Sequence, residues 1–160
     1  MAIRIKDTDN GYQAMRRNVF GKGKSRVLVG ITEEVGREQH AEGRAATVLQ
    51  IAIWNEFGNG LHSPERSYLR SWFDSNKTAA EDKLSAMMPA LLAGEITKEQ
   101  LLDRLGLWIV GEIQKTMTGD GIPPPNAPST IAKKGSATAT VEDGTLRSKI
   151  THVVRRAGEE

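Results

Sequence analysis

At 160 residues, with 38% hydrophobic and 26% charged content, the chain is long enough for one domain with a sizeable core and too apolar for wholesale disorder. It has no cysteine, hence no disulfide or thiolate chemistry. No apolar run approaches the roughly 20 residues that span a bilayer, and the first residues lack a signal-peptide core, so a reducing cytoplasm is the expected setting. The net charge of +2 hides an asymmetry: residues 1–26 carry seven Lys/Arg against two Asp, residues 27–124 nine against fourteen acids, and residues 125–158 six against two. Basic ends around an acidic middle fit a polyanion partner, head-to-tail contact between subunits of complementary charge, or plain solvated surface.

Along the chain, residues 2–6 alternate apolar and basic, which predicts a short strand. Residues 10–20 place Tyr12, Met15, Val19 and Phe20 at helical spacing, and Gly21 to Ser25 breaks that helix as a basic turn. Residues 26–31 are short and rich in β-branched side chains, predicting a buried strand. The polar, glycine-punctuated stretch 33–44 predicts a long flexible loop or extended hairpin. Residues 45–57 predict a helix with Val48, Ile51, Ala52 and Asn55 along one side, ended by Gly58.

Residues 67–75 are compatible with a short helix or a strand. Residues 77–92 are more sharply patterned, with Leu84, Met87, Met88, Leu91 and Leu92 on one helical face and Gly94 as a stop. Thr97 and Gln100 form a capping-box pattern opening a helix to about Met117, its apolar side formed by Leu101, Leu105, Trp108, Ile109 and Ile113. Two such helices with a short joint predict an αα-hairpin. Residues 119–128 contain two glycines and four prolines and predict an extended surface loop. Residues 129–134 suggest one helical turn capped by Ser129, residues 135–140 a small polar mobile stretch, and residues 149–155 a closing strand.

Reactive constellations are not evident. His40, His62 and His152 lack the spacing that sets two ligands on one helix face. There is no Gly-x-Ser-x-Gly elbow, and the glycines around Lys22 and Lys24 lack phosphate-loop spacing and precede a strand. Glu56, at a helix end among aromatics, is the acid expected to be partly buried, paired structurally with Arg66 or Arg70. Trp54, Phe57, Tyr68, Trp72 and Phe73 form the densest aromatic region; core packing is expected for most, with one or two at a protein interface or stacked on nucleic acid.

Four blocks in order carry a resemblance: Asn55-Glu56-Phe57-Gly58; Pro64 to Arg70 (PERSYLR); Pro128 to Gly135 (PSTIAKKG); and Asp143 to Ile150 (DGTLRSKI). Together they resemble the neck or tail-completion proteins of tailed bacteriophages. Ser67-Tyr68 stands where that family often has Pro-Phe, and Ala137 to Asp143 replaces a more usual Pro-Leu-containing run.

The element pattern and the resemblance together predict an α+β single domain over residues 1–160. It would have a small antiparallel-rich sheet packed by helices, including a long α-hairpin, and mobile loops at about 33–44 and 119–140. The resemblance implies a structural virion protein, not an enzyme, with no cofactor or metal. Such a protein assembles as a homo-oligomeric ring, six-fold by the resemblance, at the head–tail junction, meeting the head connector or adaptor and the tail tube or terminator, with DNA passing through its lumen. Interface candidates are Trp54, Phe57, Arg66, Tyr68, Arg70, Pro128, Lys133 and Lys134. The competing expectation is a basic nucleic-acid-binding protein acting on phage or host DNA, which requires strong, salt-dependent binding to free DNA.

Overall fold

A computed structural model of the chain describes residues 11–21, 23–39, 45–60, 64–118, 122–134 and 144–156. The strand expected over residues 2–6 and the stretch 135–140 lie outside these. The elements run α1 (Tyr12–Phe20), β1 (Arg26–Gly30), α2 (Glu33–Gly36), α3 (Val48–Phe57), α4 (Leu69–Leu92), α5 (Lys98–Thr118), α6 (Pro128–Lys134), α7 (Thr145–Ser148) and β2 (Thr151–Arg155). This is an α+β fold in which α5, paired with α4 in a hairpin, backs a small antiparallel sheet.

The hairpin is built as its sequence dictates. Gly94 takes the left-handed conformation (φ 78°) that closes the turn after α4. Thr97 and Gln100 then form the capping box: the Gln100 backbone N–H donates to Thr97 Oγ1 at 3.2 Å, and the Thr97 N–H donates to Gln100 Oε1 at 2.9 Å. Leu101, Leu105, Ile109, Ile113 and Met117 of α5 are all buried. With Val48, Ala52, Tyr68, Trp72, Ile122, Leu146 and Ile150 most of them form the main core. A smaller cluster of Leu91, Ile96 and Leu101 fills the hairpin tip, where Val19 of α1 packs. There the Asn18 side-chain amide donates to the carbonyls of Leu91 (3.3 Å) and Ile96 (3.0 Å), tying α1 down.

β1 and β2 pair antiparallel, Arg26 opposite Arg155 and Gly30 opposite Thr151. Alternation along the strands turns Val27, Val29, His152 and Val154 toward α5 and Arg26, Leu28, Val153 and Arg155 away from it. Gly106 of α5 lets the sheet come close: a Cβ there would lie 2.5 Å from His152 Cδ2 and 2.7 Å from Val27 Cγ2.

Several expectations are corrected. The first strand is not buried; it is half-buried on one face, with Leu28 exposed on the other. Part of the expected loop 33–44 is ordered: Glu33–Gly36 is a helical turn and Gln39 bridges to Thr47, while residues 40–44 lie outside the described residues. The two segments 67–75 and 77–92 are one element, α4, which bends at Asn76 (φ −121°, ψ 15°), whose side-chain amide donates to the Trp72 carbonyl at 2.9 Å. Leu92 is exposed, not part of the packed face. α6 starts at Pro128, so Ser129 is a first-turn residue and not a cap.

Candidate functional site

The residues that dominate the sequence meet at the corner between α3 and α4. A capping box opens α3, with the Gln50 N–H donating to Thr47 Oγ1 and the Thr47 N–H donating to Gln50 Oε1. α3 is apolar around most of its circumference. It buries Val48 and Ala52 and leaves Leu49, Ile53 and Phe57 exposed in a stripe. Gly58 ends it with φ 72°. That ending carries Glu56, in the last turn, inward against the start of α4.

Glu56 is only 5% exposed, yet it is well solvated by protein donors. Its Oε1 accepts from Ser67 Oγ (2.6 Å), the Arg70 backbone N–H (2.9 Å) and Arg70 Nε (3.1 Å). Its Oε2 accepts from the backbone N–H groups of Tyr68 (3.0 Å) and Leu69 (3.1 Å). The first N–H groups of a helix have no partner within it, and the helix dipole is positive there. Glu56 is therefore the cap of α4, delivered from another helix, because Tyr68 at the capping position has no side-chain bond of that kind. Ser67 assists by accepting from the Ser71 N–H at 3.2 Å. Burial alone would raise the Glu56 pKa. The Ser67 hydroxyl and the N–H groups of Arg70, Leu69 and Tyr68 outweigh it and hold the carboxyl below its ordinary range.

Two arginines extend the corner in opposite directions. Arg70 donates from Nη2 to the Glu56 carbonyl (2.5 Å) and to Glu65 Oε1 (2.8 Å), and its guanidinium lies 4.4 Å from the Phe57 ring centroid. Arg66 points inward. Its Nε donates to the Pro124 carbonyl at 2.7 Å, and its Nη2 to the Pro125 carbonyl (3.3 Å) and Asn126 Oδ1 (3.4 Å). One buried side chain thus fixes the proline-rich segment that leads into α6.

The expected pairing of Glu56 with an arginine is present with Arg70; Arg66 serves the backbone of residues 124–126 instead. As interface candidates, Arg66 and Tyr68 are corrected. Arg66 is buried by its bonds to the proline segment, and Tyr68, 1% exposed, is core. Trp54, Phe57 and Arg70 reach the surface, with Phe73 exposed beside the buried Trp72 at a ring separation of 5.2 Å. Pro128 is exposed at the head of α6. Lys133 and Lys134 belong to the same helix, and their side chains lie outside the described set. Sequence reasoning did not single out Ser67 or Asn126. A serine just ahead of a helix was a usable signal for Ser67. Nothing local marked Asn126.

The Glu56 carboxylate already holds five donors and stays ionised, which leaves it poorly placed to take a proton. Burial first, and the neighbouring Glu56 charge second, push the Tyr68 hydroxyl pKa up, away from neutrality. Elsewhere, His152 Nε2 lies 2.9 Å from Asp103 Oδ1, while His40 and His62 fall outside the described residues. Among the described residues no cluster of three His, Cys, Asp or Glu side chains could hold a metal ion, and no helix is long and apolar enough to cross a membrane. Comparison with protein-family models, with curated proteins and with solved structures found no match to this chain.

Proposed function

We propose that this chain is a structural virion protein of the head–tail junction of a tailed phage. It assembles as a homo-oligomeric ring that completes the tail or joins it to the head connector, and DNA passes through the ring. The observation that carries the reading is the convergence of the resemblance blocks. Glu56 of the first block caps the helix that the second block begins. Arg66 of the second block holds the residues immediately before the third. Leu146 and Ile150 of the fourth pack in the same core as Val48, Ala52 and Tyr68.

Residues scattered over about a hundred positions therefore build one rigid corner, and their roles are mechanical. Beside the corner, Leu49, Ile53, Trp54, Phe57 and Phe73 present apolar surface. Such surface suits a subunit contact, where aromatic side chains are enriched. A ring of identical subunits needs heterologous contacts that close, so each copy offers two different faces. During assembly the protein resides in the host cytoplasm; afterwards it resides in the virion.

The test is deletion of the gene from the phage genome, followed by negative-stain imaging of the particles and complementation in trans. Filled heads and unattached or overlong tails, restored to normal particles by the complementing gene, are expected. Normal infectious particles lacking the protein would overturn the proposal.

A further inference from the structure

The end of the molecule around the start of α5 gathers cations that have no acidic partner among the described residues. Lys98 Nζ donates to the carbonyls of Val19 (3.3 Å) and Gly23 (2.7 Å), which fixes the end of α1 and the following turn against α5. Arg156, just past β2, pairs with Glu99 of the same helix end at 3.5 Å. α1, the start of β1 and the end of β2 are thereby drawn together. They bring Arg16, Arg17, Lys24, Arg26 and Arg155 to one end of the fold, the first four exposed and Arg155 half-buried.

Arg26 and Arg155 are direct cross-strand partners, on the sheet face turned away from α5. Like charges in that position repel, so the pair costs stability in the free subunit. Among the described residues the acids at this helix end do not relieve it: Glu99 is engaged by Arg156 and Asp103 by His152. On the outer face of α1, Arg16 stands between Tyr12 and Phe20, which are 63% and 71% exposed, with Arg17 alongside. The acids of α4, Asp74, Glu81 and Asp82, alternate with Lys77 and Lys83 on the same helix and do not make a patch of one sign.

We propose that this basic end binds the phosphate backbone of duplex DNA. Arg26 and Arg155 take one pair of phosphates, and Arg16, Arg17 and Lys24 take the continuation of the strand. The proposal rests on the head–tail reading and names the surface that meets DNA; DNA must slide through a lumen, so the binding is weak, unlike the strong binding to free DNA that the nucleic-acid-binding reading requires. Its test reads DNA binding directly, so either can fail without the other. Because the contacts go to phosphates, binding is independent of sequence and steeply salt-dependent.

The experiment is fluorescence anisotropy of a labelled 30-base-pair duplex titrated with the full chain between 50 and 200 mM salt. Five phosphate contacts predict a slope of log affinity against log salt of about −4, a loss of a few hundred-fold over that range. Arg26→Gln/Arg155→Gln and, separately, Arg16→Gln/Arg17→Gln are each expected to flatten the slope by about 2 units. The charge-matched control Lys77→Gln/Lys115→Gln, toward the other end of the hairpin, is expected to leave it unchanged. Thermal unfolding confirms that each variant is folded. Absence of binding at 50 mM salt, or a slope that the arginine variants do not move, would overturn the proposal. So would tighter binding to a single strand that is lost in Tyr12→Ala/Phe20→Ala. A changed oligomeric state in the arginine variants with unchanged DNA affinity would reassign the surface to a subunit contact.

Discussion

Glu56→Gln is the most discriminating perturbation of the corner, because it keeps shape and removes one acceptor. A glutamine carries a single side-chain oxygen. If that oxygen takes the place of Oε1, the N–H groups of Tyr68 and Leu69 lose their acceptor and face an amide that also donates. In the opposite orientation the donors from Ser67 and Arg70 are the ones lost. Each buried donor left without a partner costs about 1–3 kcal/mol, so at least two such losses place the variant about 3 kcal/mol below wild type. With a urea dependence of about 2 kcal/mol per molar, the unfolding midpoint falls by about 1.5 M. The pH dependence supplies a second readout. The folded-state pKa lies below the unfolded one, so the stabilisation is fully present above the ordinary carboxylate value and is lost as pH falls through the folded value. The gap between wild type and Glu56→Gln should therefore narrow as pH drops below about 4. A midpoint within about 0.25 M of wild type at neutral pH, the equivalent of a neutral surface change, would refute the capping argument.

Gly106→Ala should destabilise by about 1–2 kcal/mol despite the better helix propensity of alanine, because its Cβ drives into His152 and Val27; urea unfolding with near-normal stability would show that the sheet can retreat. Arg66→Lys should lose the simultaneous hold on Pro124, Pro125 and Asn126, since an ammonium lacks the planar fork; faster proteolysis at residues 119–127 is the expected readout, and an unchanged cleavage pattern would contradict it. Ile113→Ala, at a fully buried position, should cost about 2–5 kcal/mol. Phe57→Ala, at a residue 60% exposed, should leave the urea midpoint nearly in place while lowering the yield of joined particles in a complementation assay.

The hairpin was legible because its information is local. The apolar spacing of α5, the Thr97 and Gln100 box and the Gly94 stop all lie within a few residues of the feature they specify. The start of α4 was not, for a definite reason. Its cap is Glu56, more than ten positions upstream, and the tyrosine at the capping position gives no signal of its own. The polar run from Asp74 to Lys77 also interrupts the apolar period at the bend, so one helix reads as two. Glu56 itself was legible as a buried acid, since a carboxylate among aromatics at a helix end has few other places to go. That it would cap a helix, and that Arg66 would turn to backbone carbonyls 58 and 59 positions away, depends on tertiary placement that no spacing encodes. The half-exposed state of β1 follows from its having, among the described residues, one partner strand and one helix, neither visible in five residues.

The pairing of β1 with β2 also sets a timetable. Gly30 meets Thr151 across roughly 120 intervening residues, and closing a loop of that length costs about 4 kcal/mol of chain entropy before the ladder returns anything. The α4–α5 hairpin and the capping of α4 by Glu56 involve only neighbouring segments, so they can form on the microsecond scale of local contacts. The hairpin would then present the face around Gly106 as a ready surface, with the two strands expected to dock there late. Folding of this chain would thus be limited by the arrival of its last strand, and substitutions in β2 would slow refolding only to the extent that this docking is already made in the transition state.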